Sequence, residues 1–247
     1  MSFPHLSNLA GKKFGKISLE KQIRKGTIGV IYEGLFDLEK VAFMQCDFAE
    51  LAHLRFKIEC KSFTNGTILK ISRQILDGLS HIHEKGYTHR DTKLNNMMVS
   101  QSGGCSQKVV AFLIDFGISS RVVDKNGNRM SRDTCFNFSK LDQSTPYTAL
   151  GDAPDFIDDL IQMTYSMIRV TNDPMKEQKA IPLHRPRTVL SVTLSWMVPF
   201  FEPIGSQKPL SSIDYQSICG SVDAMIPEND ARADLNLRTV GKEFKLI

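Results

Sequence analysis

One short stretch constrains this chain more than any other: His89-Arg90-Asp91-Thr92-Lys93-Leu94-Asn95-Asn96, followed nineteen residues after Asn96 by Asp115-Phe116-Gly117. A carboxylate opens a loop, an ammonium group follows two positions on, an amide follows five positions on, and a second carboxylate lies further along. Between them, Met97-Met98-Val99 and Val109-Val110-Ala111-Phe112-Leu113-Ile114 flank Ser102-Gly103-Gly104. β-Branched and aromatic residues on either side of a glycine turn spell a hairpin. Such a hairpin sends the chain back on itself and carries Asn96 and Asp115 toward one face. Hard oxygen ligands of that kind suit Mg²⁺.

Transfer of a phosphoryl group from a nucleotide needs this set: a base beside the accepting hydroxyl, metal ligands and a cation near the transferred phosphate. The two blocks spell H-R-D-x-K-x-x-N and D-F-G, and in that order they resemble a eukaryotic protein kinase core. The resemblance implies ATP and Mg²⁺ as cofactors. It makes Asp91 the base and Lys93 the group that neutralises the transferred phosphate, and Asn96 and Asp115 become the metal ligands. A lysine at that position is the serine/threonine kinase pattern. Alone, Asp91 reads equally as a turn aspartate and Asn96 as a turn cap.

Upstream, residues 17–46 read as strands: Ile17 to Ile23, Val30 to Phe36, and Lys40 to Cys46 after a turn at Asp37-Leu38-Glu39. Gly26 and Gly29 keep the last two glycines of a G-x-G-x-x-G-x-V loop, with Arg24 at the first glycine and Ile31 at the valine. Backbone amides at Gly26 and Gly29 would cradle phosphates. Val41-Ala42-Phe43-Met44 lines up with V-A-I-K and puts Met44 where the resembled family has lysine. A hydrogen bond to a charged group is worth about 1.5–3 kcal/mol, so its loss implies a tenfold or larger handicap. Only 45 positions separate Met44 from His89, far fewer than a kinase spends on the αC helix, two further strands and the adenine-binding hinge. Glu50 and Glu59 are the candidates for the αC glutamate. Either the small lobe has been shortened or the chain omits a coding segment.

Ile68, Ile71, Ile75, Leu79 and Ile82 recur at helical steps, with Thr64 as N-cap and Gly86 just past the end. A second helix is expected at 156–169 with an apolar stripe of Phe156, Leu160, Met163, Met167 and Ile168, and others at 188–198 and 212–225. Residues 118–150 read as a long functional loop, and 170–187 as a linker.

Three stretches narrow the resemblance to the casein kinase 1 group with its tau-tubulin and vaccinia-related relatives. They are Phe63-Thr64 leading through Gln74-Ile75-Leu76 to His81-Ile82-His83-Glu84-Lys85-Gly86-Tyr87-Thr88, then Asp158-Asp159-Leu160, then Ile213-Asp214-Tyr215-Gln216-Ser217-Ile218. The resemblance has Asp159 brace the catalytic loop through backbone hydrogen bonds and offers Thr145 as a contact for Asp91. Ile161-Gln162 replaces the family's Trp-Ser, which marks a divergent branch.

The expected fold is α+β, a kinase-like two-lobe single domain over 1–247, with an abbreviated β-rich N-lobe at 14–60 and a mainly helical C-lobe at 61–247. A charge of +4 is too mild for a nucleic-acid binder. It suits an acidic or already phosphorylated protein substrate, although Arg121, Lys125, Arg129, Arg132 and Lys140 read more plainly as a solvated loop. Five scattered cysteines without a C-x-x-C pair suggest a reducing compartment. No signal-peptide profile or bilayer-length apolar run is present. The expectation is a cytoplasmic or nuclear monomer without membrane partners. A pseudokinase scaffold is the alternative, motivated by Met44 and the short connection; a small-molecule phosphotransferase is a more distant one.

Overall fold

Thr64 and Gly86 bracket the helix that organises the larger part of the molecule. Thr64 stands in extended backbone and its hydroxyl accepts from Thr67 N at 3.1 Å, satisfying one of the first-turn amides. The helix α1 runs Asn65–Glu84. Gly86 follows at φ 83°, and its N–H closes the helix end onto His83 O at 2.9 Å. The expected caps and apolar stripe are therefore present, with Ile68, Ile71, Ile75 and Leu79 buried.

The structure is a computed structural model describing residues 10–14, 17–25, 30–36, 39–45, 63–101, 109–124, 126–130, 144–171, 173, 185–227, 235, 237–240 and 243–246. The chain divides into two compact units, Met1–Phe56 with Ile114–Ile118, and Lys57–Leu113 with Ser119–Ile247.

The first unit carries a four-stranded antiparallel sheet in sequence order: β1 (Lys13–Phe14), β2 (Ile17–Lys25), β3 (Val30–Phe36) and β4 (Glu39–Gln45). Register shifts between Leu19 and Lys21 and between Gln22 and Arg24 interrupt the β2–β3 ladder, as bulges do. Met44 pairs with Ile31 and Val41 with Gly34. Gly26 and Gly29, Glu50 and Glu59 lie outside the described residues.

In the second unit α1 leads to β5 (Tyr87–Thr88), a 3-10 turn at Leu94–Asn96, and the hairpin β6 (Met97–Gln101) and β7 (Val109–Leu113). The expected hairpin is present and pairs Met97 with Leu113 and Gln101 with Val109. The stretch expected as a long loop from 118 carries secondary structure in its first part. Here β8 (Ser120–Arg121) pairs with β5, Val123 bridges Arg129, and Gly86 O receives Val122 N at 2.8 Å and Val123 N at 3.2 Å. Two-residue strands are too short to show a period in sequence. Residues 131–143 lie outside the described set.

After α2 (Pro146–Ala149) comes α3 (Phe156–Arg169), opened by a capping box in which Asp155 and Asp158 serve each other's backbone. The bounds match the expectation and every residue of the expected stripe is buried, but burial does not stop at the stripe. Every residue from Phe156 to Ile168 is buried, including Gln162, Thr164 and Ser166. A helix surrounded on all sides is a core element rather than an amphipathic one. The helix expected at 188–198 is replaced by α4 (Pro186–Val189), a 3-10 stretch at Val192–Met197 and α5 (Val198–Gly205). Pro199 occupies the first turn of α5, where a missing N–H costs nothing. Finally α6 (Tyr215–Met225) and a C-terminal antiparallel hairpin, β9 (Leu237–Val240) with β10 (Glu243–Leu246), complete the described elements.

One apolar core joins α1, α3, α5 and α6 through Ile75, Leu79, Leu160, Phe200, Phe201 and Ile218. Each large side chain fully buried there stabilises the fold by about 1.5–3 kcal/mol. Among the described residues no helix is long and apolar enough to cross a membrane.

Candidate active site

The loop after β5 begins with strain. Arg90 is a buried residue at φ 70°, and a non-glycine residue held in that region costs about 1–3 kcal/mol. Asp159, fully buried on the first turns of α3, offsets it. Its Oδ2 accepts from His89 N at 2.7 Å and its Oδ1 from Arg90 N at 2.7 Å. Hydrogen bonds to a charged group are worth about 1.5–3 kcal/mol each, so the pair outweighs the strain. His83 Nε2 adds a contact to Oδ2 at 2.9 Å, and Thr92 Oγ1 one to Oδ1 at 3.5 Å. A carboxylate has about four lone-pair sites, and these donors fill them. Burial by itself would raise the Asp159 carboxyl. The His83 hydrogen bond, the electrostatic pull of the His83 and His89 rings and the His89 amide overcome it and hold the group below its ordinary value.

Two more side chains on the same face of α3 reach the same loop. Gln162 Oε1 accepts from Thr92 N at 2.9 Å while its Nε2 donates to Arg90 O at 3.3 Å. Ser166 Oγ donates to Thr92 O at 3.2 Å. Positions 159, 162 and 166 follow helical spacing, so a polar stripe inside the core grips Arg90 and Thr92 from one side. The predicted brace by Asp159 is present. Gln162 had been read as divergence from the family's Trp-Ser, and it turns out to be part of the grip.

Held this way, the loop closes on itself. Lys93 N donates to Asp91 O at 2.8 Å and Asn96 N to Lys93 O at 2.8 Å. The turn brings three of the predicted site residues together: Lys93 Nζ lies 2.6 Å and Asn96 Nδ2 2.8 Å from Asp91 Oδ2, and Asn96 Nδ2 also donates to Asp91 O at 2.9 Å. Both side-chain bonds fall on one oxygen of Asp91. The Asn96 bonds use its NH₂ group, which leaves the amide oxygen as the end a cation would meet.

Asp115 belongs to the unit of the N-terminal sheet. It sits at φ 65°, a conformation aspartate tolerates better than most residues, and its Oδ1 accepts from Gly117 N at 3.4 Å. An amide oxygen at Asn96 and a carboxylate at Asp115 are the hard donors Mg²⁺ takes, so the residues present fit that ion chemically. Among the described residues no group of three or more His, Cys, Asp or Glu side chains clusters as a metal site.

Thr145 is not a partner of Asp91. Its hydroxyl donates to Asp158, and with Thr148 it forms the capping box of α2. A hydroxyl has one proton to give, and a buried carboxylate takes it. Burial pushes Asp158 up to about 7, against the Thr145 and Asp155 hydrogen bonds, with the neighbouring Asp159 and Asp155 charges adding to the rise.

The protein kinase domain family matches residues 16–149, more than half of the chain. The chain belongs to the protein kinase domain family. Several relatives are serine/threonine kinases by name. This kinase domain is 31% identical over 83 residues to serine/threonine-protein kinase SMU1 of Mycosarcoma maydis, covering 34% of this chain and 10% of that protein. It is 36% identical over 76 residues to serine/threonine-protein kinase BCK1/SLK1/SSP31 of Saccharomyces cerevisiae, covering 30% of this chain and 5% of that protein. It is 36% identical over 64 residues to nucleosomal histone kinase 1 of Drosophila melanogaster, covering 27% and 10%. The matches thus span a tenth or less of those relatives' own length. The fold is that of the BubR1 kinase domain crystal structure, with a TM-score of 0.55 and 15% identity over 92% of this chain and 86% of that one.

His83, Thr92, Ser166 and Tyr215 had no site role from sequence. The available signal was polar residues at helical spacing inside an otherwise apolar segment, Asp159, Gln162 and Ser166, facing a loop rich in backbone donors.

Proposed function

We propose that this kinase domain transfers the ATP γ-phosphate to serine or threonine hydroxyls of a protein substrate and that it is of casein kinase 1 type. The observation that carries the transfer reading is the convergence of Lys93 Nζ and Asn96 Nδ2 on Asp91 Oδ2, at 2.6 and 2.8 Å. With Oδ2 so engaged, Asp91 presents Oδ1 to the incoming hydroxyl as the base. Lys93, partly exposed beside it, swings to the transferred phosphate. On the family pattern Asn96 and Asp115 would each ligate a Mg²⁺ ion, which would neutralise charge developing on the phosphoryl oxygens. Support for the group assignment comes from Asp158-Asp159-Leu160 in α3 and from Ile213-Asp214-Tyr215-Gln216-Ser217-Ile218 at the start of α6. The substrate is an acidic or previously phosphorylated protein, met by a monomer in the cytoplasm or nucleus.

Recombinant chain is incubated with Mg-ATP and casein beside an Asp91→Asn control. Incorporation well above the control supports transfer; incorporation equal to it ends the claim.

Met44 favours a second reading, a pseudokinase that serves as a binding scaffold. It stands in β4 opposite Ile31, at the position where the family pattern has the phosphate-binding lysine, and a thioether offers no charged donor. This reading expects no change in melting temperature with Mg-ATP. A ligand that binds only the folded state must raise it, so a clear Mg-ATP-dependent rise counts against the scaffold.

A further inference from the structure

A chain of hydrogen bonds runs from the exposed start of α6 inward to the catalytic loop. Asp214 caps α6 by accepting from Ser217 N at 3.0 Å, which fixes the first helical residue, Tyr215. The Tyr215 hydroxyl lies 2.7 Å from His83 Nδ1. His83 Nε2 lies 2.9 Å from Asp159 Oδ2, and that same oxygen receives His89 N at 2.7 Å. Phe156 stacks on the His83 ring at 4.5 Å between centroids and 28° between planes.

An ionised carboxylate only accepts, so His83 Nε2 donates to Asp159. At Nδ1 the ring meets the Tyr215 hydroxyl, which can donate or accept and so serves that nitrogen with or without a proton on it. Burial, then the Asp159 charge, pushes the Tyr215 phenol well above its ordinary value, which keeps the hydroxyl neutral. Tyr215 thereby fixes the ring orientation of His83 that completes the Asp159 acceptor set.

We propose that Tyr215 is a positioning residue: acting through His83 and Asp159, it holds the backbone of His89 and Arg90 in the geometry that presents Asp91. Removing its hydroxyl leaves a buried ring nitrogen without its partner, frees the imidazole to turn, and weakens the grip on the strained Arg90. The packing of the Tyr215 ring against His83, at 5.8 Å in an edge arrangement, survives in phenylalanine, so Tyr215→Phe isolates the hydroxyl. His83→Gln is the second variant. It keeps a donor for Asp159 but has no ring to be oriented.

Two measurements on the full chain test this. Hydrogen exchange is followed in residues 87–92 and, in the same samples, in the buried middle of α1. The proposal expects about tenfold faster exchange in the loop for both variants, as loss of one buried hydrogen bond allows, with α1 unchanged. Loop exchange at the parent rate in Tyr215→Phe, or a rise of equal size in α1, overturns it. The second measurement is kinetic and rests on the kinase reading. With Mg-ATP and casein, kcat in Tyr215→Phe should fall about tenfold while both KM values stay within about twofold. A change confined to KM overturns the proposal. Should the parent transfer no more phosphate than Asp91→Asn, the kinase reading fails, and the exchange result alone decides whether Tyr215 positions the loop.

Discussion

The side-chain amide of Gln162 receives the backbone N–H of Thr92 at 2.9 Å across 70 positions of sequence, inside the core and away from water. A backbone amide in such a place has no other source of a hydrogen bond. Replacing Gln162 with leucine should therefore cost about 1–3 kcal/mol, the desolvation penalty of an unmet buried donor. Gln162→Glu still accepts from Thr92 N; protonated, it also donates to Arg90 O and should cost less than leucine, whereas ionised it sets a charge against that carbonyl and should cost more. Urea unfolding of both variants at two pH values reads the difference.

Lys93 separates chemistry from stability. Its ion pair with Asp91 is partly open to solvent, and such pairs contribute about 0–1 kcal/mol. On the proposed reading the ammonium stabilises charge that builds on the transferred phosphoryl group, and deleting a group of that kind costs about 10²–10³ in rate. Lys93→Met should melt within a degree or two of the parent, on the order of that small energy, and lose roughly a hundredfold in kcat. A large fall in melting temperature would mean that the lysine is structural.

Asp158 makes stability depend on pH in the less common direction. Its folded value of about 7 lies above the ordinary 3.8. In the folded state the group holds its proton where the unfolded chain has already released it. Its contribution to stability is fully present below about pH 4 and is lost as the pH rises through about 7. The gap corresponds to on the order of 4 kcal/mol. Asp158→Asn keeps an oxygen for Asp155 N and cannot ionise; it loses the acceptor that the Thr145 hydroxyl uses, a cost that does not vary with pH. Relative to the parent it should gain stability steadily between pH 4 and pH 8, measured by urea midpoints. Parallel curves for the two proteins would refute the shift.

Arg129 fastens the segment that follows Asp-Phe-Gly. Its guanidinium pairs with Asp155 and lies 5.0 Å from the centroid of Phe156. Arg129→Ala should release residues 119–130 from the start of α3 at a cost of about 1–2 kcal/mol. Thermolysin cleavage within that segment should then accelerate severalfold while α1 stays protected. Unchanged cleavage would show that the β8 pairing and the Val123–Arg129 bridge are sufficient.

The long helices were legible because their signals are local. Thr64, the isoleucine series and Gly86 gave α1 its two ends, and the bounds of α3 followed in the same way. The convergence of Asp91, Lys93 and Asn96 was legible because all three lie within one turn of chain. The grip on that turn was not. Asp159 was assigned its brace through family likeness, whereas Gln162, Ser166 and His83 act across some 70 or more positions, and no local pattern encodes such pairings. The helix breaks around Pro199 and the two-residue strands β5 and β8 were lost for the opposite reason, being too short to carry a period. The same chemistry that hid Gln162, a polar residue in a buried helix, is what made it look like divergence.

Gly86 has a consequence that reaches past this one molecule. A β-carbon built there would come within 2.4 Å of Val123 O, and the residue also sits where L-amino acids are strained. Every single-base change that alters the meaning of a glycine codon yields either a stop or a residue bearing that carbon. Inherited variation at this codon should therefore be purged even in lineages that have abandoned catalysis, since the penalty falls on assembly of the polypeptide itself.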